Sequence, residues 1–182
     1  SGTMLAKKCG AKFSSTDINL ILNDKGINTV FITTRHNTHA DLVVKCLKHG
    51  KNIFVEKPLS LNLEELKNVI NAYTTFQEKN NVNPCIMVGF NRRFSPFTKK
   101  VKEIFKGAES RLVVNIMMNA GFIPKDFWIQ DPKVGGGRII GEGCHLVDLV
   151  SALTESEVSS VYCSGIASQD ESLVHDNVLI NL

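Results

Sequence analysis

The sequence predicts an α/β fold that opens with a parallel sheet of βαβ units and continues as an α+β half. Between residues 16 and 89, short β-branched and aromatic runs alternate with amphipathic stretches of helical period, the order that right-handed crossovers produce. After Gly89 the alternation stops, and glycines, isolated aromatics and irregular tracts take over. A chain of 182 residues with 43% apolar and 21% charged residues can bury a sizeable core, in one ordinary domain or two small ones.

Residues 16–24 put Ile18, Leu20, Ile21 and Leu22 on a broad helical face behind the cap candidates Ser15 and Thr16, and Lys25-Gly26 ends the turn. Residues 29–33 are a nearly continuous β-branched and aromatic run, which suits a parallel strand covered on both faces. A helix capped by Thr38 follows, with Ala40, Val43, Val44 and Leu47 on one face and Gly50 as a left-handed stop. Residues 52–55 read as the next strand, broken at Lys57-Pro58 because proline donates no hydrogen bond to a ladder. Asn62 and Glu65 have the spacing of a capping box, and Leu63, Leu66, Val69, Ile70 and Tyr73 form the stripe of a long helix. Residues 85–89 form a third strand. The boundary is expected at 91–94, giving units 1–92 and 93–182. Beyond it, Ser95 and Pro96 start a helix that ends at Gly107. Residues 111–119 read as a long strand, 120–140 as irregular, 145–153 as a helix, and 159–165 and 173–182 as strands. The first residues read as helix and the last as strand, as in a piece of a longer polypeptide.

Lys and Arg total 21 against 18 Asp and Glu, a net charge of +3 without a basic cluster, so nucleic acid is not the expected partner. No apolar run approaches the roughly 18–20 residues of a membrane helix, and the opening lacks the apolar core of a signal peptide, so the cytoplasm is the expected location. The cysteines Cys9, Cys46, Cys85, Cys144 and Cys163 are odd in number and never form C-x-x-C, which predicts reduced thiols. No strand followed by G-x-G-x-x-G is present. Gly135-Gly136-Gly137 follows a polar irregular stretch and fails the strand-turn-helix context of a phosphate loop.

Four stretches together resemble the Gfo/Idh/MocA family of NAD(P)-dependent oxidoreductases, named for glucose-fructose oxidoreductase and inositol dehydrogenase. They are Thr33-Thr34-Arg35-His36-Asn37-Thr38-His39, Val55-Glu56-Lys57-Pro58, Gly89-Phe90-Asn91-Arg92-Arg93-Phe94, and the run from Gly135 through Glu142, His145 and Asp148. The resemblance implies a partial Rossmann domain, then part of a domain whose mainly antiparallel sheet supplies substrate contacts and a homo-oligomer interface. It further implies NAD or NADP as cofactor and a small sugar, cyclitol or polyol as substrate.

By the same resemblance Lys57 is a catalytic residue. It follows a parallel strand at the end where open α/β sheets bind ligands, where a cation stabilises alkoxide character; from position alone a solvated lysine is the favoured reading. His145 matches the family's proton acceptor, and imidazole titrates near neutrality; the alternative is a structural helix histidine. The family places an aspartate four residues before that histidine. Here Gly141 stands there and Glu142 beside it, so either Glu142 substitutes from a shifted backbone or the carboxylate role is lost.

Thr34, Arg35, His36, Asn37 and His39 match the cofactor loop, or else form a capped turn, and Glu56 is grouped with them. His36 and His39 lack the third ligand that a metal pair needs, so no metal is expected. Arg92, Arg93, Trp128 and Asp148 are substrate-side candidates, the arginines as forked donors to an anionic or polyhydroxyl ligand or as junction ion pairs. Phe122 and Phe127, with Trp128, offer aromatic walls or packing anchors. The rival reading is a non-catalytic binding or oligomerisation module that keeps the fold. A third, redox sensing through Cys144 or Cys46, requires a lowered thiol pKa.

Overall fold

The computed structural model describes residues 2–80, 83–108, 112–166 and 177–182. Helices α1 (Gly2–Lys8) and α2 (Asn19–Leu22) precede strand β1 (Thr29–Ile32). Then come α3 (His39–Lys48), β2 (Asn52–Val55), α4 (Leu63–Asn80) and β3 (Ile86–Val88). The three strands form a parallel sheet in the order β1-β2-β3, with Ile32 opposite Val55 and Val55 opposite Val88.

The core is a single layer between this sheet and helices α3 and α4. Ile32, Ile53 and Val55 point into it, met by Ala40, Val43, Cys46 and Leu47 of α3, Val69 of α4 and Leu22 of α2. Gly50 ends α3 with φ of +66°, as its position predicts. The capping box of α4 also forms: Asn62 Oδ1 accepts from the Glu65 N–H at 2.9 Å, while Glu65 Oε2 accepts from the Leu61 N–H at 2.8 Å.

Several local expectations are corrected. α2 is shorter than 16–24 and neither Ser15 nor Thr16 caps it; the Asp17 carboxylate accepts from the Asn19 N–H at 2.9 Å instead. Thr38 does not cap α3, because its hydroxyl donates to the Arg35 carbonyl at 2.8 Å inside a 3₁₀ turn over His36–Thr38. β1 is not covered on both faces. Among the described residues it pairs only with β2, and Phe31 is 69% exposed, stacked on Phe54 at 5.2 Å. Of the α4 stripe only Val69 is buried, and Leu63 and Ile70 face outward.

The second half starts with a 3₁₀ turn, Asn91–Phe94, and α5 (Pro96–Ile104), whose Ser95 cap accepts from the Thr98 N–H at 3.1 Å. Residues 112–119 are not a strand, and Arg111 lies outside the described residues. Their β-branched character finds no partner among the described residues, and Val113 and Met117 are almost fully exposed. A π-helical turn, Ile139–Gly143, leads into α6 (Cys144–Thr154). β4 (Tyr162–Gly165) and β5 (Val178–Asn181) pair antiparallel; the expected strand residues 173–176 lie outside the described residues. No described helix is long and apolar enough to cross a membrane. The five cysteines are free thiols.

Candidate active site

The parallel strands deliver their following loops to one edge of the sheet, and the second half folds back over that edge. Lys57, two residues past β2, reaches across to the π-helical turn. Its Nζ donates to Glu142 Oε1 at 2.8 Å and to the Gly141 carbonyl at 2.6 Å, and its side chain is 15% exposed. Glu56 does not pair with Lys57; its carboxylate lies beside Gly89, where a Cβ would come within 3.1 Å of Glu56 Oε2.

Glu142 lies in the π-helical turn Ile139–Gly143. The π-helical turn carries i→i+5 bonding, which places an extra residue in the turn and presents the carboxylate of position 142 to the lysine. Position 141 is crowded for a side chain. A Cβ there would sit 3.3 Å from His36 Cε1, so the ring, held by its bond to the Gly135 carbonyl, would have to give by a few tenths of an ångström. This acceptor carbonyl of Gly141 is a site feature that sequence reasoning missed. The flanking Gly141 and Gly143 at a helix start were the available signal.

His145 follows in the first turn of α6. It is 6% exposed, its Nδ1 is buried without a hydrogen-bond partner, and Phe90 meets its ring edge-on at 6.0 Å. Burial first, then the charges of Lys57 and Arg92, hold its pKa below the ordinary histidine value against the opposing pull of Glu142 and Asp148. Burial alone would raise the Glu142 carboxyl; the Lys57 hydrogen bond and charge, aided by His145 and Arg92, outweigh it and keep the group below the usual range. The cluster therefore holds an ionised carboxylate on a lysine beside a neutral imidazole.

The two arginines part company. Arg93 forms a fork with Asp148, its Nε donating to Oδ2 at 2.9 Å and its terminal nitrogen to Oδ1, which lifts the guanidinium pKa further. That pair ties the junction turn to α6. Arg92 points toward the lysine cluster, its terminal nitrogen 3.7 Å from Glu142 Oε2.

The loop after β1 divides in a similar way. Thr34, Arg35 and Asn37 are exposed. His36 is buried, with Nδ1 at 2.8 Å from the Gly135 carbonyl, and burial, exceeding the effect of that bond, lowers its pKa. His39 is wholly buried between two carbonyls, Nδ1 2.7 Å from Pro58 and Nε2 3.0 Å from Thr34, so it links the loops after β1 and β2. Trp128 packs edge-on against His36 at 4.9 Å under the Arg35 guanidinium at 5.5 Å, while Phe122 is exposed. The glycine run is a packing corner: a Cβ on Gly135 would fall 2.3 Å from Ile129 Cα. Cys46 and Cys144 are both pushed up by burial, away from the reactive thiolate that redox sensing needs. No cluster of metal-ligating side chains occurs among the described residues.

Comparison with known proteins gives a consistent result. The family model for the oxidoreductase family with an NAD-binding Rossmann fold matches residues 2–83, and that for the GFO/IDH/MocA C-terminal domain matches residues 111–182. The chain is 29% identical over 171 residues to myo-inositol 2-dehydrogenase of Thermotoga maritima, covering 93% of this chain and 48% of that protein. It is 32% identical over 160 residues to scyllo-inositol 2-dehydrogenase (NAD(+)) of Bacillus subtilis, covering 86% and 44%. It superposes on a putative myo-inositol dehydrogenase from Sinorhizobium meliloti with a TM-score of 0.75 at 26% identity, covering 97% of this chain and 52% of that one. A levoglucosan dehydrogenase in complex with NADH and levoglucosan gives 0.73 at 26% identity, covering 92% and 45%. The chain spans about half the length of the curated relatives it matches.

Proposed function

The chain belongs to the GFO/IDH/MocA oxidoreductase family, and on that premise we propose that it carries the catalytic half-sites of an NAD(P)-dependent dehydrogenase acting on a sugar, cyclitol or related polyol. The observation that carries this reading is the Lys57–Glu142 pair beside a neutral His145, assembled at the carboxyl edge of the parallel sheet. Inositol and levoglucosan dehydrogenases among its relatives support the substrate class.

In this reading His145 takes the proton of the reacting hydroxyl. Its Nδ1 is sealed from solvent, which leaves Nε2 as the exchanging nitrogen. Lys57 stabilises the alkoxide that develops on the same oxygen, and Glu142 with the Gly141 carbonyl holds the ammonium in place. A nicotinamide, when bound, supplies the acceptor or donor for the hydride. Thr34, Arg35 and Asn37 are the exposed donors on the rim that fit one flank of a dinucleotide, with Glu56 nearby. His36 and His39 act from behind by fixing that loop. The unit boundary at 92/93 is supported by the position of the Asn91–Phe94 turn between the two matched segments.

Self-association through the β4–β5 sheet, where Tyr162 and Leu179 are exposed, and a cytoplasmic location are part of the same proposal. The non-catalytic alternative drew on Gly141 and on the absent Gly-rich phosphate loop; Glu142 on Lys57 weighs against the first of these. In the native protein, Lys57→Ala and His145→Ala are each expected to abolish NAD(P)-linked oxidation of inositols and sugars while the circular dichroism spectrum is unchanged. Full turnover in both variants would refute the assignment.

A further inference from the structure

The cleft around His145 carries more positive charge than its own carboxylates balance. Asp148 is taken up by Arg93, and Glu142 is engaged by Lys57 at 2.8 Å. That leaves Arg92. Its terminal nitrogen is 3.7 Å from Glu142 Oε2, beyond hydrogen-bond reach, and its hydrogen-bond partner is Met118 Sδ at 3.6 Å, a weak thioether acceptor. Among the described residues no oxygen accepts from this guanidinium, whose side chain is 39% exposed. Burial first, then the charges of Lys57 and Arg92, hold His145 below the ordinary histidine pKa, which disfavours a further positive charge on the imidazole. An oriented guanidinium fork without an oxygen acceptor, at the ligand-binding edge of a parallel sheet, is complementary to a carboxylate.

We propose that Arg92 makes this site selective for an acidic sugar or polyol, a substrate bearing a carboxylate, such as a uronate, beyond the carbinol that reacts. The inference rests on the polyol reading above and narrows it. With an acidic substrate the cations Lys57 and Arg92 face two carboxylates, Glu142 and the ligand's own. With a neutral one Arg92 is desolvated by the bound ring without an anion to compensate it. Arg93, the next residue, cannot take this role because its donors are closed onto Asp148.

The test is a titration of the isotope-labelled native protein at low ionic strength with D-glucuronate, D-glucose and inorganic pyrophosphate, following the Arg92 Hε and His145 Hε1 resonances. Glucuronate is expected to bind with a Kd at least about tenfold below that of glucose. Arg92→Gln should remove the difference without changing the thermal midpoint, and Lys48→Gln, at the opposite end of the sheet, should keep it. Equal Kd values for acid and sugar would overturn the acid preference and leave the polyol reading standing. Pyrophosphate shifting both resonances as tightly as glucuronate would assign Arg92 to a phosphate and overturn the inference, as would loss of the preference in Lys48→Gln. Failure of both sugars to bind would remove the polyol reading and the inference with it.

Discussion

An α-helix advances about 100° per residue, so a carboxylate moved from position 141 to 142 would ordinarily swing away from Lys57. Here the π-helical turn absorbs the shift, and His36 crowds the space that a side chain at 141 would enter. Gly141→Ala is therefore expected to cost about 1–3 kcal/mol by overpacking. Most of that cost should vanish in a His36→Ala background, a coupling that a double-mutant cycle by urea denaturation measures; additive effects would show that the two positions do not share the space. His145 carries a second expectation. Its folded pKa lies below the ordinary value of 6.5, so as pH falls the unfolded chain takes up the proton first. Stability is then lost from about pH 6.5 down to the folded value and is constant below it. Denaturation at about pH 7.5 and 5.5 should give the higher stability at the former, and His145→Gln should shrink the difference. His36, shifted in the same direction, accounts for part of what remains.

At the level of elements, period and propensity identify a helix well and its buried face less well. Residues 63–80 form α4 with the predicted capping box, yet of its stripe only Val69 is in the core, because α3 and the sheet cover one narrow side of the helix. Leu47, fully buried in α3, and Leu63, 73% exposed in α4, make the contrast measurable. Leu47→Ala should cost about 2–5 kcal/mol, while Leu63→Ala should stay within about 0.5 kcal/mol. Chemical denaturation of both variants checks the pair, and similar losses would place Leu63 in the core after all. The strand expected over 111–119 fails for the complementary reason. β-propensity describes how a residue fits a paired, half-buried surface, and residues 112–119 have no neighbouring strand among those described.

Across the whole molecule, the two halves are joined by Lys57 reaching the π-helical turn and by the loop after β1 docking on the glycine corner, where the Asn37 N–H donates to the Val134 carbonyl at 3.1 Å, while the Arg93–Asp148 fork ties the junction turn to α6. Arg93→Ala leaves the Asp148 side chain, 8% exposed, without its cation. The expected cost is about 1–3 kcal/mol, below that of a fully buried pair because Arg93 remains in contact with water. Limited proteolysis should then cut the segment between α5 and α6 faster, whereas an unchanged digestion pattern would mean that the fork is not what holds the junction turn on α6. The parallel βαβ order, the strands at 52–55 and 86–88, the Ser95 and Asn62 caps, and Lys57, Glu142 and His145 as candidates were all legible in the sequence. The order, strands and caps depend on local pattern, whereas the three site candidates rest on the family resemblance. Which arginine faces the cleft, which histidines turn inward and how Glu142 reaches Lys57 were decided only by tertiary structure. Each is a contact between residues far apart in the chain, as in the 85 positions separating Lys57 from Glu142, and no local period records where such partners meet.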